Sequence, residues 1–210
     1  MIKFEFFKIN YHLQSINLSK ITKHQHFALH KPYGYLSQFI VNGKQKKRNK
    51  LLGELYDFPA GTMAIGRLDR NSEGLLLLTT DGKVSYDILS HKYEKEYYVQ
   101  VDGAITEQAI QQLKGGIEIS LEGAIYKTMP CEANLIESPK DLPIENRKPR
   151  DARHGPMSWI SITLREGKYR QVRKMTAAVG FPTLRLIRVR IGTFTLTLSK
   201  GETEKVTSFS

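Results

Sequence analysis

Hydrophobic and polar residues alternate in some stretches of this chain and recur at helical spacing in others, but Leu75-Leu76-Leu77-Leu78 does neither. Four leucines between Gly74 and Asp81-Gly82 make a run that is short, continuous and bounded by turn formers, which predicts a buried strand. Upstream, the apolar residues around Phe27 to Leu29 lead into Lys31-Pro32-Tyr33-Gly34, a strand running into a Pro-Gly turn. Leu51, Leu52 and Leu55 recur at helical spacing before Pro59, so a short helix is expected to cover the sheet there. Downstream the pattern predicts a helix over Val84 to Leu89, then a strand over Lys95 to Val101 with Tyr97, Val99 and Val101 on one face. Thr106 is placed to cap a helix through Leu113 that packs with Ala109, Ile110 and Leu113 and ends at Gly115-Gly116. Trp159 to Leu164 and Leu184 to Ile191 read as further strands. Between them, Arg165 to Met175 leads into a helix with Val172, Met175 and Val179 inward. Arg170, Arg173, Lys174 and Ala177 line another face, and Gly180 and Pro182 end it. Residues 137–156 are polar and proline-rich, an excursion loop. The first 25 residues mix aromatics and lysines without a period, and His24 and His26 are expected to be ordinary histidines, since no Cys, Asp or Glu cluster joins them.

Charge changes the picture from a fold to a partner. Thirty-two Lys and Arg against 21 Asp and Glu give a net charge of +11, which points to a polyanion, because cations that neutralise phosphates release condensed counterions. Between Pro143 and Arg190 twelve basic residues face three acids, Glu145, Asp151 and Glu166, a local balance of plus nine. The run from Gly43 to Lys50 is basic without an acid, a solvated loop or a contact to an RNA backbone. No apolar run reaches a membrane span and no signal peptide is visible, so a cytoplasmic protein without a membrane partner is expected. The length suits one large domain or two small ones. The one cysteine, Cys131, rules out an internal disulfide and is expected to pack.

Candidate chemistry centres on Asp69. Gly66 and Gly74 bracket it, and a glycine at each end lets the backbone adopt conformations closed to other residues. Arg67 and Arg70 flank it, and opposite charge nearby favours the ionised carboxylate. Taken alone, Asp69 is a common turn residue and Tyr97 a core aromatic. The chain has no Gly-x-Ser-x-Gly elbow, no phosphate-binding loop, no dinucleotide fingerprint and no Cys/His array. That favours a reaction one carboxylate can carry out unaided, with no cofactor and no metal.

Gly66-Arg67-Leu68-Asp69, with Ser72-Glu73-Gly74-Leu75-Leu76 behind it, closely resembles the catalytic segment of pseudouridine synthases. The branch is the one that contains small-subunit synthase A and the large-subunit synthases B, E and F. Lys31-Pro32-Tyr33-Gly34 resembles the opening motif of that family, Lys95, Tyr97 and Val99 its Lys-x-Tyr-x-Val motif, and Glu166 to Met175 its third motif. The motifs stand in the family's order across residues 26–195. The resemblance implies an α+β fold: a mixed, mainly antiparallel sheet with flanking helices and a basic cleft between two subdomains, residues 26–90 and 91–210, behind an extension of residues 1–25. It implies that Asp69 is catalytic, that Tyr97 stacks on the target base and that Arg173 pairs with Asp69. Arg67, Lys95, Lys168, Arg170, Gln171 and Lys174 would bind substrate. Lys168 stands where arginine is more usual, which keeps the charge but loses bidentate geometry. With no small RNA-binding module in front of His30, and with the Phe181 to Arg188 run, the chain is most similar to synthases of type E within that branch. That implies a monomer acting on one uridine of 23S ribosomal RNA near the peptidyl-transferase centre. The alternatives are another RNA site, or a non-catalytic RNA-binding or ribosome-assembly protein. A nuclease fits less well, because only Glu73 and Asp81 lie near Asp69 in the chain.

Overall fold

A computed structural model describes residues 23–41, 49–90, 93–140, 142 and 155–209. Nearly all of the N-terminal extension, most of the basic run 43–50 and most of the excursion 137–156 lie outside the described residues. The strands are β1 (His26–Lys31), β2 (Met63–Ala64), β3 (Glu73–Thr79), β4 (Lys95–Asp102), β5 (Glu118–Leu121), β6 (Ala124–Lys127), β7 (Glu132–Ile136), β8 (Met157–Leu164), β9 (Thr183–Ile191), β10 (Phe194–Thr195) and β11 (Thr203–Val206). The helices are α1 (Gly82–Leu89), α2 (Glu107–Gly115) and α3 (Gln171–Ala178). Among the described residues nine strands form one sheet in the order β11-β1-β3-β9-β4-β8-β7, with β2 on β3 and β10 on β9, while β5 and β6 form a separate hairpin. Of these strand pairings only β3–β9 is parallel, so the sheet is mixed and mainly antiparallel, the expected α+β arrangement.

The leucine run explains itself once both faces of β3 are followed. Leu75 and Leu77 enter a cluster with Ala28, Ile65, Ile88 and Phe209, whereas Leu76 and Leu78 enter another with Phe27, Leu29 and Leu52. A strand covered on both sides has no polar face to show, and each buried leucine contributes about 1.5–3 kcal/mol. The loop preceding β3 therefore hangs from a rigid support. The helix expected around Leu51 to Leu55 is a single 3-10 turn, Leu52–Glu54, whose Glu54 carboxylate accepts from the Leu51 N–H at 2.8 Å.

β4 alternates strictly between buried and half-buried positions. Its Tyr97, Val99 and Val101 join Ile110, Leu113, Ile160, Ile162, Val172 and Met175 in the largest core cluster. Cys131 packs against that cluster and donates its thiol to the Leu113 carbonyl, and burial pushes its pKa up to about 11. Asp81 caps α1 by accepting from the N–H groups of Lys83 and Val84, and Thr106 caps α2. The third helix starts at Gln171, later than its charged lead-in suggests: Arg170 takes a left-handed φ of 52°, which stops helical propagation toward Arg165.

β9 joins the two halves, lying between β3 and β4. It meets β3 at Glu73 and Gly74, where a Cβ on Gly74 would stand 2.3 Å from the Arg188 carbonyl oxygen. Gly74 also has φ +103°. Only glycine allows this approach and this backbone together. The chain then returns: β11 pairs with β1, and Phe209 packs edge-on against His26, so the last described residues sit with the first. Among the described residues no helix is long and apolar enough to cross a membrane.

Candidate active site

Asp69 opens the turn that feeds β3, closed by the Ser72 N–H on the Asp69 carbonyl at 2.9 Å. The residue before it, Leu68, is held at both backbone polar atoms. The buried Ser37 hydroxyl donates to Leu68 O at 2.9 Å and accepts from Leu68 N at 3.0 Å. Two residues further on, Arg70 O accepts from Gly34 N at 2.8 Å. The segment after β1 thus runs beside the Asp69 turn and fixes its backbone.

The countercharges come from far along the chain. Asp69 Oδ2 lies 3.1 Å from an Arg170 guanidinium nitrogen and 3.8 Å from Arg173 Nε. Arg173 also donates to Asn71 O at 2.6 Å and to Ser72 Oγ at 3.2 Å, so it straps the whole turn. The flanking arginines, expected to hold the carboxylate, do not pair with it. Arg70 Nε reaches the Gly34 carbonyl at 3.4 Å, and Arg67 is exposed on the rim. Partly exposed ion pairs contribute about 0–1 kcal/mol, and the Asp69 side chain remains 26% exposed. Two arginines on one open carboxylate do little for stability and much for its position.

Arg170 is placed by a strained loop. A left-handed backbone at a residue with a side chain costs roughly 1–3 kcal/mol and persists only where its surroundings hold it. Here the buried Glu166 carboxylate accepts from the Tyr126 hydroxyl at 2.6 Å, from Met129 N at 2.9 Å and from the Gln171 amide. Gln171 Oε1 in turn accepts from Lys168 N at 2.9 Å. The Glu166 hydrogen bond pushes the Tyr126 pKa up.

A narrow cavity of about 70 Å³ opens beside Asp69, with Tyr97, Leu164, Val172 and Leu186 as its apolar lining. Arg67, Lys168, Arg170 and Gln171 also line it. Lys168 places its ammonium 5.1 Å from the Tyr126 ring centre. The structure therefore brings Asp69, Tyr97, Arg67, Lys168, Arg170 and Gln171 to one cavity, with Arg173 strapping the turn beside it. Gln171 spends its amide inside the loop. Lys95, expected to touch substrate, is buried and donates to Tyr93 O at 3.0 Å and Arg165 O at 3.5 Å. Burial and then the Arg188 charge lower its pKa. Lys174, also expected at the substrate, donates to Ser120 O at 2.6 Å and ties α3 to the β5–β6 hairpin. Ser37, Tyr126 and the anchoring use of Glu166 carry no sequence signal, because their partners lie 31 and 40 positions away. Among the described residues no group of three His, Cys, Asp or Glu side chains is placed to hold a metal ion.

An acid at the mouth of a cavity lined by an aromatic ring, with arginines on one oxygen, is an arrangement that can act on a nucleotide's sugar while stacking its base. A family model described as RNA pseudouridylate synthase matches residues 25–178. The chain belongs to this family. As an RNA pseudouridylate synthase it is an isomerase that converts uridine to pseudouridine. It is 41% identical over 175 residues to the ribosomal large subunit pseudouridine synthase E of Xanthomonas axonopodis pv. citri, an alignment that covers 80% of this chain and 86% of that one. To the protein of the same name from Vibrio vulnificus it is 39% identical over 198 residues, 92% of this chain and 80% of that one. A solved pseudouridylate synthase superimposes with a TM-score of 0.69 at 28% identity, over 88% of this chain and 71% of that one.

Proposed function

We propose that this synthase isomerises a uridine of 23S ribosomal RNA in the cytoplasm, as a monomer, with Asp69, Tyr97 and Arg173 as its catalytic residues. The observation that carries the reading is the Asp69 carboxylate at the mouth of the Tyr97 cavity with Arg170 and Arg173 on Oδ2. The large-subunit names of the relatives support the choice of RNA. Residues 26–90 supply the acid and residues 91–210 the aromatic ring and the arginines, so the cleft lies between these two subdomains.

The reaction must break the N1–C1′ bond, turn the uracil and join C5 to C1′. A paired uridine first has to leave its stem, at a few kcal/mol. Tyr97 stacks the extruded base, a contact worth about 1–3 kcal/mol by analogy with single-strand binders, and in the closing step its hydroxyl accepts the C5 proton as it passes its own to water. Asp69 acts at the sugar, as nucleophile at C1′ or as base. Closing RNA over Asp69 removes water from its charge, and Arg173 opposes that cost. Arg67, Lys168 and Arg170 on the rim hold the RNA backbone.

The test is carbodiimide mapping of ribosomal RNA from cells that carry Asp69→Asn in place of the native chain. One missing pseudouridine in 23S ribosomal RNA, with RNA binding retained, is expected. Modification that persists in the mutant overturns the assignment of Asp69.

A further inference from the structure

Asp69 faces two adjoining compartments that share Arg67, Lys168 and Arg170. The inner one is narrow and has Tyr97, Leu164, Val172 and Leu186 as its apolar wall. The outer one measures about 570 Å³ and runs from Asp69 past Arg70 and Tyr169 to Gln38. If the target sugar sits at Asp69 with its base inside, the chain of the RNA leaves on both sides, and a neighbouring nucleotide enters the outer groove. The groove's lining divides by chemistry. Arg67, Arg70, Lys168 and Arg170 carry full positive charge and suit phosphates. Tyr169, 69% exposed with the Lys174 ammonium 5.4 Å from its ring centre, offers a face on which any base can stack. The Ser37 hydroxyl is taken up at both ends by Leu68.

That leaves Gln38 as the neutral side chain carrying a donor and an acceptor side by side. Among the described residues nothing bonds to its amide, and its backbone is immobilised: Gln38 O accepts from Leu52 N at 3.1 Å and Leu36 N donates to Lys50 O at 2.9 Å. Next to it, Ser37 ties the same segment to the residue before Asp69. Gln38 is thus held in register with the catalytic carboxylate. A paired donor and acceptor on a fixed mount is what base reading requires, whereas phosphate contacts position without specifying.

Resting on the Asp69 reading, we propose that Gln38 is a specificity-determining residue that reads the base of the nucleotide adjoining the target uridine. The base edge it matches best offers a donor beside an acceptor, as adenine does. Tyr169 stacks on that base without distinguishing it.

The experiment uses unmodified 23S ribosomal RNA transcribed in vitro. The full chain locates the modified uridine, and transcripts with each flanking nucleotide replaced in turn are then compared by kcat/KM. Replacement at one flanking position is expected to lower the native enzyme's kcat/KM about tenfold or more. Gln38→Ala and Gln38→Met should both erase that difference while keeping turnover on the best native transcript within reach of measurement. The backbone carbonyl that receives Leu52 N is untouched in both, and Met preserves the side chain's length. Tyr169→Ala should weaken all transcripts alike. Neighbour preference that survives in both Gln38 variants, or a native enzyme indifferent to every flanking base, overturns the proposal. A native chain that leaves no pseudouridine in any transcript sinks the Asp69 reading itself, and the two failures are therefore distinct.

Discussion

Asp69 and Glu73 stand four residues apart on one stretch of chain, and each meets arginine from a distant element, yet the two pairs do opposite things. Glu73 is fully buried, and Arg185 grips it through Nε at 2.7 Å and a second nitrogen at 3.2 Å. Both carboxylate oxygens are engaged, and the pair bolts β3 to β9. Asp69 keeps a quarter of its side chain in solvent and takes both arginines on one oxygen. The lesson is that an acid–arginine pair is not structural or functional by composition. Whether an oxygen is left facing a cavity decides it.

The sharpest way to break this contrast is at Asp69. Asp69→Asn should lower kcat by about 10³-fold or more while leaving folding stability within about 0.5 kcal/mol, as for a partly exposed side chain that holds nothing together. Comparable loss of stability would make Asp69 a second Glu73. Glu73→Ala should show the reverse: removing one member of a buried pair costs about 3–5 kcal/mol, read as a lowered midpoint in chemical denaturation. Gly74→Ala tests the junction itself, where overpacking against Arg188 and a strained backbone together cost roughly 2–5 kcal/mol. Arg173→Lys keeps the charge but loses the fork that reaches Asp69, Asn71 and Ser72 together, so kcat should drop about tenfold with KM nearly unchanged. The smallest effect belongs to a third acid on the same stretch, Asp81, which meets backbone N–H groups in place of an arginine. Its pKa is lowered, chiefly by the Lys83 N–H bond. Its contribution is therefore present above the ordinary aspartate pKa and lost as pH falls through the lowered one. Asp81→Ala should lower Tm by about 1–3 °C near neutrality, and that difference should vanish in acid.

Much of this could be read from the chain. Leu75 to Leu78 announced β3, the alternation in Lys95 to Val101 announced β4, and Thr106 marked the start of α2, because each signal lies within its own element. Arg173 was legible only through resemblance. Arg170 as the nearer partner of Asp69 was not, since its direction depends on a left-handed backbone held by Glu166, Gln171 and Tyr126. The carbonyl partners of Lys95 and Lys174 were illegible for a related reason: in a motif, a lysine that donates to a backbone carbonyl, as these two do, looks like any other. The neighbours Arg67 and Arg70 were the obvious countercharges in sequence, but a turn that points Asp69 inward sends them elsewhere.

The placement of β9 between β3 and β4 has a consequence in time. Asp69 is synthesised 101 positions before Arg170, and β9, which closes the sheet around the site, follows α3. At about 5–20 residues per second, translation separates the acid from its arginines by roughly 5–20 s. A chain still being made carries the carboxylate without the cavity or its countercharges, so the site is complete only after α3 and β9 have been synthesised.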